Sequence, residues 1–163
     1  MSRRNKQKKH QTNLWTFALE LGFFAGLIWG AIRWLLYWLR FTKVVPGFLG
    51  EPFFRHDFLV TAPGHLAGYL IFIAFSMIAA LIYVLIFRKL RGPWPGILYG
   101  ILWWSLLFLA GARMFLMMPP FRLPWNTVTS EFCIFLLWGM FIGYTAAIEF
   151  TDERNREQKT KLA

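Results

Sequence analysis

The sequence predicts an all-α polytopic membrane protein, a four-transmembrane-helix bundle with both termini in the cytoplasm. Three observations predict it. Hydrophobic residues make up 57% and charged residues 16% of the 163-residue chain, against about 45–50% and about 25% in soluble domains. Four apolar runs are long enough to cross a bilayer, which takes about 20 residues. Lysine and arginine cluster in short segments beside those runs, as in a positive-inside signal. That clustering also accounts for the net charge of +10. It leaves no basic, aromatic groove for nucleic acid, so none is expected as a partner.

The basic segment "MSRRNKQKKH" opens residues 1–13, read as a cytoplasmic tail. It resembles the start of a signal peptide. The apolar run behind it, Leu14–Leu39, is far longer than the 7–15 residues such a peptide uses, so an uncleaved first span is expected. The second span is expected at about 63–87, the third at 95–118 and the fourth at 128–150. Pro63 and Pro95 suit helix starts, Asn126 or Thr127 suits a cap on the fourth helix, and Pro119-Pro120 stops the third. Trp15, Trp38, Trp94 and Trp125 lie at run ends, where an interfacial aromatic belt would place them.

Orientation follows from the basic residues. One side would hold Arg3, Arg4, Lys6, Lys8, Lys9, Arg88, Lys89, Arg91, Arg154, Arg156, Lys159 and Lys161. The other would hold only Arg40, Lys43, Arg55 and Arg122. The richer side is the cytoplasm, with the polar segment 151–163 as a second cytoplasmic tail. The connection 40–62 contains five phenylalanines but is broken by Pro46, Gly47, Gly50 and Pro52. It cannot span as a helix. It is expected to lie in the outer interface or fold back over the bundle, in the sharper reading as a lid over a cavity.

Every span carries small residues four apart, which share one helix face. The first has Ala18, Gly22, Gly26 and Gly30; the second Gly64 and Gly68; the third Gly96 and Gly100; the fourth Gly139, Gly143 and Ala147. Glycine faces let two backbones approach closely where lipid is as apolar as leucine. They are expected to pack helices within the bundle, with contact between copies as the other use.

Ionisable residues inside spans are candidate sites by default. Arg33 lies 19 residues past Leu14, about 28 Å along the helix, and Arg113 lies 17 past Gly96, about 26 Å. Both fall near the outer edge. The expected midplane residues, about Gly26, Ser76, Leu107 and Met140, are not ionisable, which argues against an ion-coupled site. Depth matching predicts an Arg113–Glu131 pair with Arg33 nearby. Glu20 and Glu149 fall near the inner face, where basic neighbours are expected to pair with them. The alternative to anchoring is an outward-facing anion or lipid-headgroup site built from Arg33, Arg113 and His65. His56, Asp57 and His65 match no metal motif, Cys133 reads as a small packing residue, and no catalytic signature occurs. No cofactor, metal or enzymatic activity is expected.

The stretches "WPGILYGILWW" (Trp94–Trp104) and "GMFIGYTAAIEF" (Gly139–Phe150), set in this layout, resemble the YqhR family of small membrane proteins of Bacillus-type bacteria. The resemblance covers about Leu14 to Phe150. It implies a plasma-membrane location and four spans, and it carries over no catalytic residues. The function expected is a non-enzymatic packing, assembly or accessory role toward other membrane proteins or a second copy, through the glycine faces. The alternative is a small transporter or channel-like subunit with an Arg33/Arg113 vestibule facing outward.

Overall fold

The computed structural model describes residues 13–87, 92, 94–110 and 123–162. These residues form helices α1 (Leu14–Trp38), α2 (His56–Leu59), α3 (Ala62–Phe87), α4 (Trp94–Ser105) and α5 (Trp125–Leu162), with a 3-10 turn at Phe48–Gly50 and a π-helical turn at Leu106–Ala110. Leu14–Trp38, Ala62–Phe87 and Trp125–Thr151 are each long and apolar enough to cross a membrane. The stretch Trp94–Leu109 is also apolar but shorter, and residues 111–122 lie outside the described residues. The protein is therefore an all-α polytopic membrane protein with at least three long apolar helices. Trp15, Trp38, Trp94 and Trp125, at the helix ends, are all exposed, as an interfacial belt requires.

The helices pack as two pairs, α1 on α3 and α4 on α5, and glycine sets both seams. A Cβ on Gly26 would stand 2.7 Å from the Ile73 Cα, and one on Gly22 would strike the Met77 backbone. In the second pair the contact is mutual. A Cβ on Gly96 would lie 2.5 Å from the Gly139 carbonyl, and one on Gly139 would lie 2.6 Å from the Gly100 Cα. The seams are thus backbone against backbone. Between the two pairs lies an aromatic core that includes Phe72, Tyr83, Tyr99, Phe135 and Trp138, all buried. Two hydrogen bonds cross it. The Trp138 indole donates to Ser76 Oγ at 2.9 Å, and the Tyr99 hydroxyl donates to the Ala79 carbonyl at 2.7 Å.

Gly64 and Gly68 depart from the expected helix–helix use. A Cβ on either would collide with loop backbone, at Phe58 and Leu59 for Gly64 and at Gly47 for Gly68. The apolar connection 40–62 has to be covered by something, and a glycine face lets its main chain lie directly on α3. The connection accordingly folds back over the bundle, with residues 45–50 and Leu59 buried. Thr61 joins it to α3: its hydroxyl donates to the Phe58 carbonyl at 2.6 Å and accepts the Gly64 N–H at 3.3 Å, a helix N-cap.

Two tight turns need left-handed backbone. Gly92, between α3 and α4, has φ +91°, which glycine adopts without steric cost. Arg40, after α1, has φ 62°. The Arg40 N–H bonds the Tyr37 carbonyl at 3.0 Å and the Phe41 N–H bonds the Leu36 carbonyl at 2.9 Å. This is a Schellman closure with arginine where glycine is usual.

Further differences from expectation have local causes. α5 begins at Trp125, and Asn126 and Thr127 lie inside its first turn. Pro124 accepts the first helical N–H groups through its carbonyl, so neither residue caps. Leu107 is not at the midplane; it lines a hollow at the loop end beside Lys43 and Val44. The α4 residue that meets the Ser76 level is Trp103, through its contact with Phe75 at 4.8 Å. Cys133 is exposed on the outer face of α5 and is not a packing residue.

Candidate functional site

At the loop end of the bundle Arg33 of α1 meets Glu131 of α5. Their relative exposures are 1% and 0%. Arg33 lies five residues from the end of α1 and Glu131 six from the start of α5. Each is therefore about 8–9 Å inside the bundle along its helix. Arg33 Nη2 stands 3.0 Å from Glu131 Oε2. The other carboxylate oxygen, Oε1, accepts a hydrogen bond from Thr42 Oγ1 at 2.7 Å. Thr42 Oγ1 also accepts the Val44 N–H at 3.1 Å, and Thr127 Oγ1 of α5 accepts the Lys43 N–H at 3.2 Å. The connection is thus fastened to α5 at two consecutive residues.

The guanidinium is closed over by rings. Its carbon lies 3.7 Å from the centre of Phe48 and 5.9 Å from that of Phe72. Phe48 stacks in turn on Phe108 at 5.6 Å, and Phe108 stacks on Trp104 at 5.7 Å. The π-helical turn of α4 carries Phe108 into this stack. A desolvated cation held on an aromatic face gains attraction from the ring quadrupole. Neither the three guanidinium nitrogens of Arg33 nor Oε2 of Glu131 makes a well-aligned hydrogen bond among the described residues, so the 3.0 Å contact is an ion pair. With one carboxylate, one cation and a tied hydroxyl, the cluster is electrically neutral and closed. Such a pair contributes little net stability against an apolar replacement, yet removal of one member leaves a buried charge unmatched.

The remaining candidates are scattered. Arg113 and any Arg113–Glu131 contact lie outside the described residues; the cation observed on Glu131 is Arg33. Because Phe48 covers Arg33, its guanidinium does not open into an outer vestibule. His65 is partly buried, edge-on to Tyr37 at 5.2 Å and Trp34 at 6.3 Å, and does not join Arg33. Glu20 is exposed on α1 and has no ion pair among the described residues. Glu149 is partly buried near the far end of the bundle. Gly22, Gly26, Gly30, Gly96, Gly100, Gly139 and Gly143 are all occupied by neighbours within the chain. No group of three or more potential metal ligands occurs among the described residues.

Sequence reasoning missed Thr42 and Phe48, and it read Thr127 as a helix cap, whereas its hydroxyl accepts the Lys43 N–H. A threonine in an aperiodic loop and one in a helix's first turn carry no distinguishing signal. The five phenylalanines of the connection were visible, but not which of them covers the arginine.

No solved structure matches the chain. A curated relative, "Uncharacterized protein YqhR" of Bacillus subtilis (strain 168), is 28% identical over 158 residues, covering 94% of this chain and 86% of the relative. The family model described as "Conserved membrane protein YqhR" matches residues 1–161, and the chain belongs to that family of multi-pass membrane proteins.

Proposed function

We propose that this is a non-enzymatic accessory protein of the plasma membrane, a four-span bundle with both termini cytoplasmic, which assembles with another membrane protein through the outer face of α1. The glycine faces pack within the chain, the use expected of them inside the bundle, so we place the contact with a partner on another surface. The observation that carries the proposal is Glu20. It lies six residues inside α1, about 9 Å along the axis, on an exposed stripe with Phe23, Phe24 and Leu27. A carboxylate on a lipid-facing apolar surface is costly unless it is paired. A neighbouring transmembrane helix bearing a lysine or arginine at that depth satisfies it, and the surrounding apolar side chains supply the packing.

The test is affinity purification of the C-terminally tagged chain from native membranes in mild detergent, followed by mass spectrometry. A stoichiometric membrane protein is expected with the wild type and with Leu98→Ala, which alters the exposed face of α4. It is expected to be lost with Glu20→Gln. Recovery of the chain alone, or of a homo-oligomer indifferent to Glu20→Gln, overturns the reading.

A further inference from the structure

Two hollows adjoin at the loop end, and their chemistry differs. One is a mostly apolar cavity of about 360 Å³ walled by Val45, Phe48, Leu107 and Phe108, with Glu51 and His56 also in its lining. The other is a groove of about 450 Å³ that holds Arg40, Lys43 and His65 beside Trp34 and Trp38. Tyr37 and Lys43 belong to both. Each volume falls in the range of small-ligand sites, about 300–1,000 Å³.

The groove has unspent positive charge. Arg40 and Lys43 are exposed and form no ion pair among the described residues. His65 Nε2 is buried without a hydrogen-bond partner. The nearby acids lie outside the groove: Glu131 is held by Arg33, and Glu51, whose Oε1 is 3.3 Å from His56 Nδ1, lines the cavity instead. Arg40 keeps its place in the groove on a left-handed backbone that arginine rarely adopts. A cationic, tryptophan-lined groove that runs into an apolar cavity, at the level of an interfacial belt, has the polarity of one amphiphile. A water-soluble anion would leave the cavity unfilled, and a zwitterionic headgroup would leave the excess cations uncompensated.

We infer that the paired hollows bind a single anionic phospholipid of the surrounding bilayer, its phosphate against Arg40 and Lys43 and part of one acyl chain in the cavity beside Val45, Leu107 and the stacked Phe48–Phe108 pair. The site is independent of Glu20, which lies toward the other end of α1.

The test uses full-length protein in maltoside micelles, titrated with dioleoyl phosphatidylglycerol or dioleoyl phosphatidylcholine, with bound lipids counted by native mass spectrometry. One phosphatidylglycerol per chain is expected to be retained in preference to phosphatidylcholine. Lys43→Gln and Arg40→Gly should each weaken retention about fivefold, the effect of one basic residue near a headgroup. Glycine accepts the left-handed backbone at position 40, so that variant keeps the fold. Arg55→Gln, an exposed loop cation outside both hollows, should change nothing. Leu107→Trp, which fills the cavity, should weaken the lipid as well. Equal retention of the two lipids overturns the inference. So does an Arg55→Gln loss matching that of Lys43→Gln, or competition by glycerol 3-phosphate as tight as the lipid's own binding.

Discussion

Replacing Arg33 by methionine tests what the buried pair does. Among the described residues Glu131 would keep only the Thr42 hydroxyl at 2.7 Å, and its charge would have no matching cation there at 0% exposure. Removal of one member of a buried pair costs about 3–5 kcal/mol. Glu131→Leu should cost a similar amount, because Arg33 has no second acceptor among the described residues. The double variant Arg33→Met/Glu131→Leu removes both charges and leaves side chains of similar volume. Its one orphaned group is the Thr42 hydroxyl, which still accepts the Val44 N–H. The expected loss is about 1 kcal/mol, the net worth of an ordinary hydrogen bond. Unfolding by dodecyl sulfate in mixed micelles, followed by tryptophan fluorescence, measures all three variants. A double variant that loses the sum of the two single losses would refute the pairing. Single variants within about 1 kcal/mol of wild type would refute the burial argument.

Three further outcomes follow from the geometry. Gly100→Ala, whose methyl would enter the Phe135 carbonyl, should lower stability by about 1–3 kcal/mol through overpacking; at an open helical position the same change would stabilise by about 0.5–1 kcal/mol, so the sign in a thermal melt decides. Arg40→Gly, at φ 62°, should stabilise the protein by about 0.5–1 kcal/mol in a zwitterionic detergent, the left-handed penalty less the entropy of glycine. Trp138→Phe keeps the ring stacking but removes the donor to Ser76. It should cost about 0.6 kcal/mol and at most about 1.7 kcal/mol, the mean and the maximum for hydrogen bonds between membrane helices, in the same dodecyl sulfate titration.

The helices α1 and α3 begin and end within a residue or so of the first two apolar runs, because an apolar stretch of that length satisfies its backbone in lipid only as a helix. The fourth run, expected from 128, starts as helix at Trp125, since Pro124 accepts the first helical N–H groups through its carbonyl. Glycine spacing disclosed which faces are narrow but not what fills them. Gly96 and Gly100 meet Gly139 and Gly143, whereas Gly64 and Gly68 receive a loop, and periodicity within one helix cannot distinguish the two. Glu131 was legible as a paired acid near the loop end. Arg33, expected nearby, is the cation observed on it, because α1 lies beside α5; the expected Arg113 contact falls outside the described residues. Leu107 was expected at the midplane as the midpoint of a span 95–118, yet it lines the hollow at the loop end, in the part of that run that turns π-helical after Ser105.

The Arg33–Glu131 contact also imposes an order on biosynthesis. The two residues are 98 positions apart (131 less 33). At about 5–20 residues per second, the ribosome takes about 5–20 s after Arg33 is made to deliver its acid. In that interval α1 can already settle on α3 along the glycine seam, since both partners have been synthesised, but the arginine at its end has no counterion of its own. The loop end can close only when the last helix arrives, and Thr42 and Phe48 cannot lock before then. A nascent chain halted before Glu131 therefore holds an unneutralised cation inside the membrane edge, and only the finished chain is free of it.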